Sequence, residues 1–588
     1  MKRIKYLIIV LIFGSMSCHD FLDKEPLDIF SDASVWRDEK LVDFFLADLY
    51  YRADFIEIRG DNAENTSLAL IAAMGGEGTS FGAHHGAVIG ATQVITSAHN
   101  SPHAQIHFWP YAIIRECNYF IEKIETSSFD QNYKDQRISE ARFIRAYLYF
   151  QMVIRYGGVP IITEVQQIDD PEEKIFLPRD SEKAVYDFII NETETVAQLL
   201  PPQYETKDKG RPTKWAAYAL QSRAALYAAS IAKYGKVQLD GLLGFQALEV
   251  NSYAQRCYDV SKAIINNGIH SLYERYADPV ENYKNLFLDE SDNNKEVIMA
   301  EVYDYSKNRA HAFTLRSMSH DFSGTWASML YVYNFIERFE FADGSPGNSI
   351  TREQLTAAGQ EWSPDEIFGN RDPRFRASVF YPESPWQGGK TLMHYRTLRE
   401  GTYYTTGTAE DGWPYQSMTR NNNRTGLMVK KRCNENIIMP TDVFNDETDC
   451  IIFRLGEIYL NLAEAAYYLG YNNEALIMLN RIRERAGMPP KAEINEAILQ
   501  NERLVDLTWE NHSYWDIKRW RIAKDVLDGV RMQGLRYTYN YDTKKYRIEL
   551  VNASPETVAR TFQERNYYLP LGVNRVAENP NLIENPDY

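Results

Sequence analysis

The chain has 588 residues and a formal net charge of −17 at pH 7, with 44% hydrophobic and 25% charged residues. Its length is sufficient for a large buried core, and this composition is ordinary for a folded, water-exposed body. The excess of acidic residues argues against a general role in nucleic-acid binding, because such proteins concentrate positive charge on their surface.

The N-terminus has the pattern of an export signal. Lys2, Arg3 and Lys5 precede an apolar run at residues 6–13 that is too short to cross a bilayer. Small residues then lead to Cys18 in the arrangement of a bacterial lipobox, so Cys18 is predicted to carry the lipid. An ordinary signal peptide followed by an incidental cysteine is the alternative. Because no later apolar run reaches about 18 residues, we expect a lipid anchor and no membrane-spanning helix.

A glycine- and histidine-rich stretch at residues 74–108 follows an acidic tether and a predicted helix at residues 35–52. It holds six glycines and five of the eleven histidines, which predicts a long irregular loop. His99, His103 and His107 have the i, i+4, i+8 spacing of a metal-binding helix face, but Pro102 interrupts them and no acid completes the set. We therefore interpret them as surface histidines and predict no metal site.

Amphipathic helices follow this loop. They are predicted at residues 111–124, 135–155, 181–200, 213–234 and 252–266, with Ser181 as one N-cap. A further helical hairpin occupies residues 454–490, where Gly470 ends the first helix, Asn472 is predicted to cap the second and Gly487 ends it. Its length of about 34 residues is that of a tetratricopeptide-type unit, which needs neighbouring hairpins to bury its apolar face.

Residues 271–450 have a different character, because helical periodicity fades and Gly, Pro, Asn and Asp separate short aromatic runs. So much irregular chain in a compact body usually serves a function, so we expect ligand binding here and on the glycine-rich loop. Cys433 and Cys450 also lie in this part of the chain. A disulfide between them and two buried free thiols are both open possibilities, and no cysteine spacing supports a zinc site.

Seven motifs in chain order resemble the SusD/RagB outer-membrane lipoproteins of Bacteroidetes. They are EARFIRAY at 140–147 with GGVP at 157–160, GRPTK at 210–214, DPRF at 372–375, the hairpin at 454–486, the run at 502–510, WDIKRW at 515–520 and NPNLIENPDY at 579–588. The chain departs from the family at Asn511 and Ser513, where Gly and Arg are usual. These departures concern local packing in a structural helix region.

The resemblance implies a mainly α, SusD-like fold in which four tetratricopeptide-type helical hairpins pack against a loop-rich, irregular lobe with a few short strands. Five parts would form this single body. They are a signal peptide at 1–17, an acidic tether at 18–34, a helical part with the glycine-rich loop at 35–270, a loop-rich ligand-binding lobe at 271–450 and a closing hairpin part at 451–588.

The resemblance also implies a role in nutrient uptake. Such a protein is anchored by lipid at the cell surface of the outer membrane, captures a glycan and delivers it to a SusC-like TonB-dependent transporter. Peptide capture by a RagB-like protein of the same system is one alternative. A glycosidase is another, but no motif places the two carboxylates that it needs. A scaffold that only docks a partner is the third.

The candidate site residues lie in two irregular regions. Aromatic side chains cover the apolar C–H faces of sugars, while carboxylates and amides bind the hydroxyl groups. The candidates are Trp326, Tyr305, Phe81, Arg59, Asp61 and Asn62. Core or loop packing is the alternative for each aromatic residue among them.

The sequence also predicts the burial of four other tryptophans and the role of one acidic turn. Trp109 and Trp520 are interpreted as core, and Trp386 and Trp413 as exposed loop residues. No cofactor is predicted. The acids at 289–292 have oxygen ligands suited to Ca²⁺, but a solvated turn is favoured.

Overall fold

The computed structural model describes residues 32–53, 55, 67–80, 92, 106–307, 309–318, 320–323, 328–417, 424–438, 445–553 and 558–588. The predicted signal peptide, the lipidated Cys18 and most of the glycine- and histidine-rich loop lie outside these residues. The four cysteines in the described residues are buried free thiols, so Cys433 and Cys450 are not joined by a disulfide.

Helices dominate the described part of the chain. Those of seven residues or more are α1 (Glu39–Ala53), α2 (Ser67–Met74), α3 (Tyr111–Glu125), α4 (Gln131–Tyr156), α5 (Glu182–Val196), α6 (Lys214–Tyr234), α7 (Val250–Ile265), α8 (Pro279–Leu286), α9 (Leu455–Tyr468), α10 (Asn472–Arg485), α11 (Glu496–Asp506) and α12 (Ser513–Arg519). Shorter helices are Asp32–Val35, Glu172–Ile175, Phe313–Ser317, His320–Ser323, Tyr333–Ile336, Arg352–Leu355, Pro373–Ser378, Ala523–Leu527 and Val573–Glu578.

The long helices form one row. From α3 to α7 each helix packs on the next, α7 packs on α9, and α9 packs on both α10 and α11. Close approach is possible because α6 presents small buried side chains, including Ala217, Ala224 and Ala228. The row therefore joins helices from both halves of the chain around one core.

Local capping sets several helix ends, as the sequence predicts. Ser181 Oγ accepts a hydrogen bond from the backbone N–H of Ala184 at 3.1 Å at the start of α5. Gly470 and Gly487 follow α9 and α10 with φ angles of 82° and 72°. The predicted cap at Asn472 is wrong, because Asn472 is already helical and Tyr471 occupies the N-cap position without a side-chain hydrogen bond.

Short strands occur mostly in the irregular lobe. They are β1 (Gly78–Ser80), β2 (Val297–Glu301), β3 (Met329–Tyr331), β4 (Val379–Phe380), β5 (Pro385–Trp386), β6 (Gly389–Lys390), β7 (Arg396–Arg399), β8 (Thr402–Tyr404), β9 (Met428–Val429), β10 (Cys450–Arg454), β11 (Gln533–Asn540) and β12 (Lys545–Asn552). The sheet orders are β1-β3-β9-β4, β10-β2, β12-β11-β7-β8 and β5-β6. All strand pairs are antiparallel except β7 with β11, which pair in parallel.

A buried ion network joins the helical row to the irregular lobe. Asp506 on α11 pairs with Arg454 at 2.7 Å, with Arg485 at 2.9 Å and with Arg374 at 3.1 Å. Arg374, from the motif at 372–375, also pairs with Glu502 at 2.6 Å. Each of these side chains is at most 3% exposed. These motif residues therefore serve the fold.

The motifs at 140–147 and 210–214 also meet in the core. The carboxylate of Glu140 on α4 accepts hydrogen bonds from Tyr50 Oη at 2.6 Å and from Arg137 and Arg211 at 2.8 Å each. Because Tyr50 belongs to α1, this single carboxylate ties α1, α4 and the loop before α6 together.

Two further features bear on function. Within the described residues, no helix combines the length and the apolar character that crossing a membrane requires. In the same part of the chain, no three His, Cys, Asp or Glu side chains are placed to share a metal ion.

In the acidic turn at 289–292, the Asp289 carboxylate pairs with Arg275 at 2.8 Å and accepts hydrogen bonds from Ser291.

Candidate functional site

Tyr305 is the sequence-predicted site residue that the structure describes. It lies in a 3₁₀ turn, Tyr305–Lys307, and its side chain is 48% exposed. The other candidates, Trp326, Phe81, Arg59, Asp61 and Asn62, lie outside the described residues, so their grouping around a ligand stays a prediction.

The turn that carries Tyr305 is held by its own side chains and by a neighbouring segment. Asp304 Oδ1 accepts a hydrogen bond from the backbone N–H of Ser306 at 3.0 Å, and Asp304 pairs with Lys307 at 2.8 Å. The backbone N–H of Tyr305 donates to Glu447 Oε2 at 3.0 Å. The phenol ring is therefore presented to solvent from a fixed backbone.

Carboxylates at 446–449 fix the rest of this segment. Asp446 Oδ2 accepts hydrogen bonds from both the backbone N–H and the hydroxyl of Thr314, at 3.0 and 2.5 Å. Asp449 Oδ1 accepts one from the backbone N–H of Tyr303 at 3.0 Å. His311 lies beside Asp446, and its burial lowers the pKa of the imidazole below the usual range. A neutral His311 fits this packed position.

Arg309 connects the Tyr305 turn to α1. Its guanidinium pairs with Glu301 at 2.5 Å and lies 5.2 Å from the ring centroid of Tyr303. It also lies 5.9 Å from the ring of Tyr51, whose side chain is 53% exposed. α1 therefore passes close to the segment that carries Tyr305, just before it ends at Ala53.

A cavity of about 360 Å³ is lined in part by Asp449, whose carboxylate also accepts the hydrogen bond from Tyr303, two residues before Tyr305. Its apolar floor includes Leu286 and Phe287, and its polar wall includes Lys209, Glu290 and Asp449. Lys209 Nζ is 2.6 Å from Asp449 Oδ2, and the backbone N–H of Asp449 donates to Glu290 Oε1 at 2.9 Å. Burial raises the pKa of Glu290 above its usual range.

This arrangement suits binding by hydrogen bonds. The cavity offers both donors and acceptors above an apolar floor, as sites for small polar ligands do. Sequence reasoning named Glu290 only within the acidic turn at 289–292 and missed Lys209 and Asp449, because the three residues come from distant segments and share no motif. Their only common signal is a polar residue within irregular chain.

The four tryptophan assignments have mixed outcomes. Trp520 is 2% exposed, which confirms the core assignment. Trp386 is 1% exposed and packs edge-on to Phe380 at 4.9 Å, so the exposed-loop assignment is wrong. Trp413 is half-buried and stacks on Tyr539 at 4.3 Å. Trp109 is also half-buried and lines a cleft, so its assignment to the core is wrong.

A row of packed helices joined to a loop-rich lobe with short strands defines a mainly α protein. Residues 295–588 match the model of the SusD family. Residues 20–226 match a second family model, described as starch-binding associating with outer membrane. The chain therefore belongs to the SusD family, and the predicted mainly α, SusD-like fold is confirmed.

Similar proteins span nearly the whole chain. A SusD-like protein of Bacteroides ovatus is 25% identical over 611 residues, covering 98% of this chain and 96% of the relative. A solved SusD-like protein of Bacteroides fragilis has a TM-score of 0.72 at 25% identity, covering 96% of this chain and all of that structure. A SusD-like carbohydrate binding protein of the same species has a TM-score of 0.71 at 21% identity, covering 94% and 100%.

Proposed function

We propose that this protein is a cell-surface lipoprotein that captures an oligo- or polysaccharide and delivers it to a SusC-like TonB-dependent transporter. The observation that carries the proposal is family membership across both halves of the chain. The description of the second family model as starch-binding and associated with the outer membrane supports both the ligand class and the location. A structural neighbour described as carbohydrate binding supports the ligand class.

The surface around Tyr305 supplies the physical means of capture. An exposed phenol ring on a fixed turn can cover the apolar face of a sugar, at little entropic cost because the backbone is already held. Lys209 and Glu290, in the cavity that Asp449 connects to this segment, can exchange hydrogen bonds with sugar hydroxyls. Trp326, Phe81, Arg59, Asp61 and Asn62 are proposed to complete this surface.

Capture is proposed to occur without cleavage of the glycan. A glycosidase needs two carboxylates that flank the scissile bond, one of them poised as an acid. In the cavity, Asp449 is tied to Lys209 and to the backbone of Tyr303, and Glu290 Oε1 accepts a hydrogen bond from the backbone of Asp449, so both carboxylates hold the protein together. Binding followed by release into a transporter requires no such acid.

Calorimetry on the mature protein lacking residues 1–18 tests the ligand class. The protein would be titrated with a panel of plant and host polysaccharides, together with Tyr305→Ala and Trp326→Ala variants. We expect saturable binding to one glycan class, no new reducing ends, and a loss of about tenfold in affinity for each variant, equal to ~1.4 kcal/mol. Tyr276→Ala is the matched control, because Tyr276 is also 48% exposed but lies outside this surface.

The alternatives predict other results. Binding of peptides and of no polysaccharide would replace glycan capture with peptide capture. Unchanged glycan affinity in both aromatic variants would place the site elsewhere. New reducing ends that disappear after a single carboxylate substitution would identify a glycosidase.

Membrane anchoring and transporter docking have a separate test. In native cells, wild-type protein should incorporate labelled palmitate, fractionate with the outer membrane and co-purify with a TonB-dependent barrel. Cys18→Ala should abolish the label and release the protein from the membrane fraction. Membrane retention of an unlabelled Cys18→Ala protein would contradict the lipid anchor.

A further inference from the structure

A second concavity lies far from Tyr305 along the fold. This cleft, of about 690 Å³, separates the start of α3 and the end of α4 from the short helix Val573–Glu578. We call it the C-terminal cleft. Its lining includes Trp109, Tyr111, Phe176, Asn574, Arg575 and Glu578.

Hydrogen bonds at its base hold the two walls of the C-terminal cleft together. Tyr111 Oη donates to the backbone carbonyl of Pro160 at 2.6 Å. From the opposite wall, Asn579 Nδ2 donates to the carbonyl of Leu177 at 2.9 Å, and Asn581 Nδ2 donates to that of Phe176 at 2.6 Å. The cleft is therefore preformed, which reduces the entropic cost of binding a ligand.

One wall is aromatic and is reinforced by an arginine. The rings of Trp109 and Tyr111 lie 4.9 Å apart with a tilt of 58°, and Trp109 packs edge-on to Tyr156 at 5.4 Å. The Arg575 guanidinium lies 4.8 Å from the Trp109 ring and donates to the Tyr156 hydroxyl at 3.3 Å and to the Leu571 carbonyl at 2.9 Å. The indole is thus held in one orientation.

The other wall is polar and carries balanced charge. Asn574 and Glu578 are exposed, line the C-terminal cleft and form no hydrogen bond with any side chain in the described ranges. Arg575 contributes one positive charge and Glu578 one negative charge. Amide and carboxylate groups facing aromatic rings, without net charge, match a neutral polyhydroxylated ligand better than an anion or a cation.

We propose that the C-terminal cleft is a second glycan-binding site, which takes a neutral oligosaccharide. The inference rests on the proposed glycan capture for its ligand class only. A cleft volume of about 690 Å³ is in the range of small-ligand sites, whereas stable protein partners need a broad interface of more than about 1,000 Å². Aromatic rings against an amide and a carboxylate supply the stacking face and the hydroxyl partners that a sugar needs.

The length of α4 separates the two sites. Glu140, near the start of α4, contacts Tyr50, and the next residue, Tyr51, packs beside Arg309 near Tyr305. Tyr156, at the other end of α4, backs the C-terminal cleft. At 1.5 Å per residue the two positions lie roughly 24 Å apart along the helix axis. One long glycan can therefore engage both sites, which strengthens its binding by raising the effective concentration at the second.

The test uses calorimetry with neutral hexasaccharides of α-1,4-glucan, β-1,3-glucan, β-1,4-mannan and β-1,4-xylan, and with the parent polysaccharides. Asn574→Trp fills the C-terminal cleft from an exposed position. Val573→Trp places the same side chain on the same helix outside the cleft, at a residue that is 51% exposed, and serves as the matched control. Melting temperatures would show that both variants fold.

We expect wild type to bind two hexasaccharides, and Asn574→Trp and Tyr305→Ala to bind one each. The affinity of Asn574→Trp for the parent polysaccharide should fall at least about tenfold, because bivalent binding is lost, whereas Val573→Trp should match wild type. In protein labelled with 5-fluorotryptophan, the resonance that Trp109→Phe removes should shift when the hexasaccharide is added to wild type.

Two results would overturn the proposal, in distinguishable ways. One result is that wild type binds glycan at a single site, that Asn574→Trp leaves this binding unchanged and that the Trp109 resonance does not shift. The C-terminal cleft would then not be a glycan-binding site, while the proposed glycan capture would stand. If no glycan binds the wild-type protein, the proposed glycan capture is wrong, and the C-terminal cleft is not a glycan-binding site either.

Discussion

Asn511 shows how a departure from a family motif can preserve the backbone. Its φ angle is 67°, in the left-handed region where glycine has no steric cost and asparagine is tolerated better than other side chains. The glycine usual in the family would fit the same backbone. At Ser513 the short side chain faces Gly75 directly, because a Cβ on Gly75 would lie 2.2 Å from Ser513 Oγ.

Asn511→Ala is expected to be less stable than Asn511→Gly by about 1 kcal/mol. Both changes remove the same side chain, so the difference isolates the cost of placing a Cβ in the left-handed region. Urea unfolding of the two variants measures it. Equal stability of the two variants would mean that the backbone at 511 relaxes to an ordinary conformation.

Glu77 is a buried acid outside the proposed binding surfaces. Its side chain is 1% exposed, and its Oε1 accepts a hydrogen bond from the backbone N–H of Trp509 at 3.1 Å. Burial raises the pKa of this carboxyl from 4.5 to about 7, although the positive charge of Lys431 acts in the opposite direction. Between about pH 4.5 and pH 7, Glu77 therefore holds a proton in the folded protein that it releases in the unfolded chain.

The raised pKa of Glu77 predicts that the free energy of unfolding falls as pH rises. The folded-state pKa lies above the unfolded value, so the stabilising protonation is fully present below about pH 4.5 and is lost by about pH 7. Glu77→Gln should match wild type at pH 5 and exceed its stability by up to about 3 kcal/mol at pH 8. The difference between the two unfolding free energies across this range is the measurement.

The control for Glu77 is Glu493→Gln, which alters an exposed acid of the same chain. The free energy of unfolding of Glu493→Gln should differ from that of wild type by the same amount at every pH. A difference between Glu77→Gln and wild type that does not change with pH would contradict the raised pKa.

Helix ends were predictable from the sequence where one side chain decides them. Ser181, Thr213, Gly470 and Gly487 act at the predicted ends through their own hydrogen bonds or backbone angles. Asn472 failed because Tyr471 takes the cap position. A local signal usually suffices when both partners are within one helical turn.

Strand pairing was not predictable to the same extent. The hairpin of β11 and β12 carries a usable signal, since the apolar Leu535, Tyr537 and Tyr539 alternate in sequence with polar residues. The parallel pairing of β7 with β11, which places Thr538 opposite Arg396, has no local signal. The same limit applies to the candidate site, where Lys209 and Asp449 come from distant segments without a shared local signal.

The buried ion network around Asp506 is formed by residues of the sequence motifs and connects separate elements of the fold. Burial alone would raise the pKa of Asp506, but Arg454, Arg485 and Arg374 outweigh it and hold the pKa well below its usual range. These partners come from the start of α9, the end of α10 and the motif at 372–375. One carboxylate is thus shared by three buried positive charges from separate elements, and Glu296 and Glu502 contribute further negative charge to the network.

Asp506→Asn should lower the free energy of unfolding by about 3–5 kcal/mol, because it removes the buried carboxylate that three guanidinium groups share and leaves them with fewer negative charges than positive contacts require. Guanidinium chloride is unsuitable here, so urea titration is the measurement. Asp259→Asn on the exposed face of α7 is the control and should change stability by less than about 0.5 kcal/mol. A loss of similar size in both variants would show that the network contributes nothing special.

At the scale of the whole molecule, the helical row makes the two halves of the chain depend on each other. α7 from the first half packs on α9 from the second half. The pair of Arg223 and Glu457, 2.7 Å apart and at most 8% exposed, lies between α6 and α9. Near the C-terminus, Asn585 Nδ2 donates to the carbonyl of Tyr156 at 3.1 Å. No part of this interface is local in sequence.

Neither half should therefore fold alone. A fragment of residues 32–270 loses the α9 partner of α7 and leaves Arg223 without Glu457 in an apolar setting, which costs several kcal/mol in addition to the exposed helix face. We expect each fragment, 32–270 and 271–588, to show no cooperative thermal transition, and the two co-expressed fragments to co-purify with one. Arg223→Ala in the first fragment should weaken this reassembly, whereas Arg256→Ala, an exposed change on α7, should not. Cooperative unfolding of the isolated 32–270 fragment would show that the first half is an independent domain.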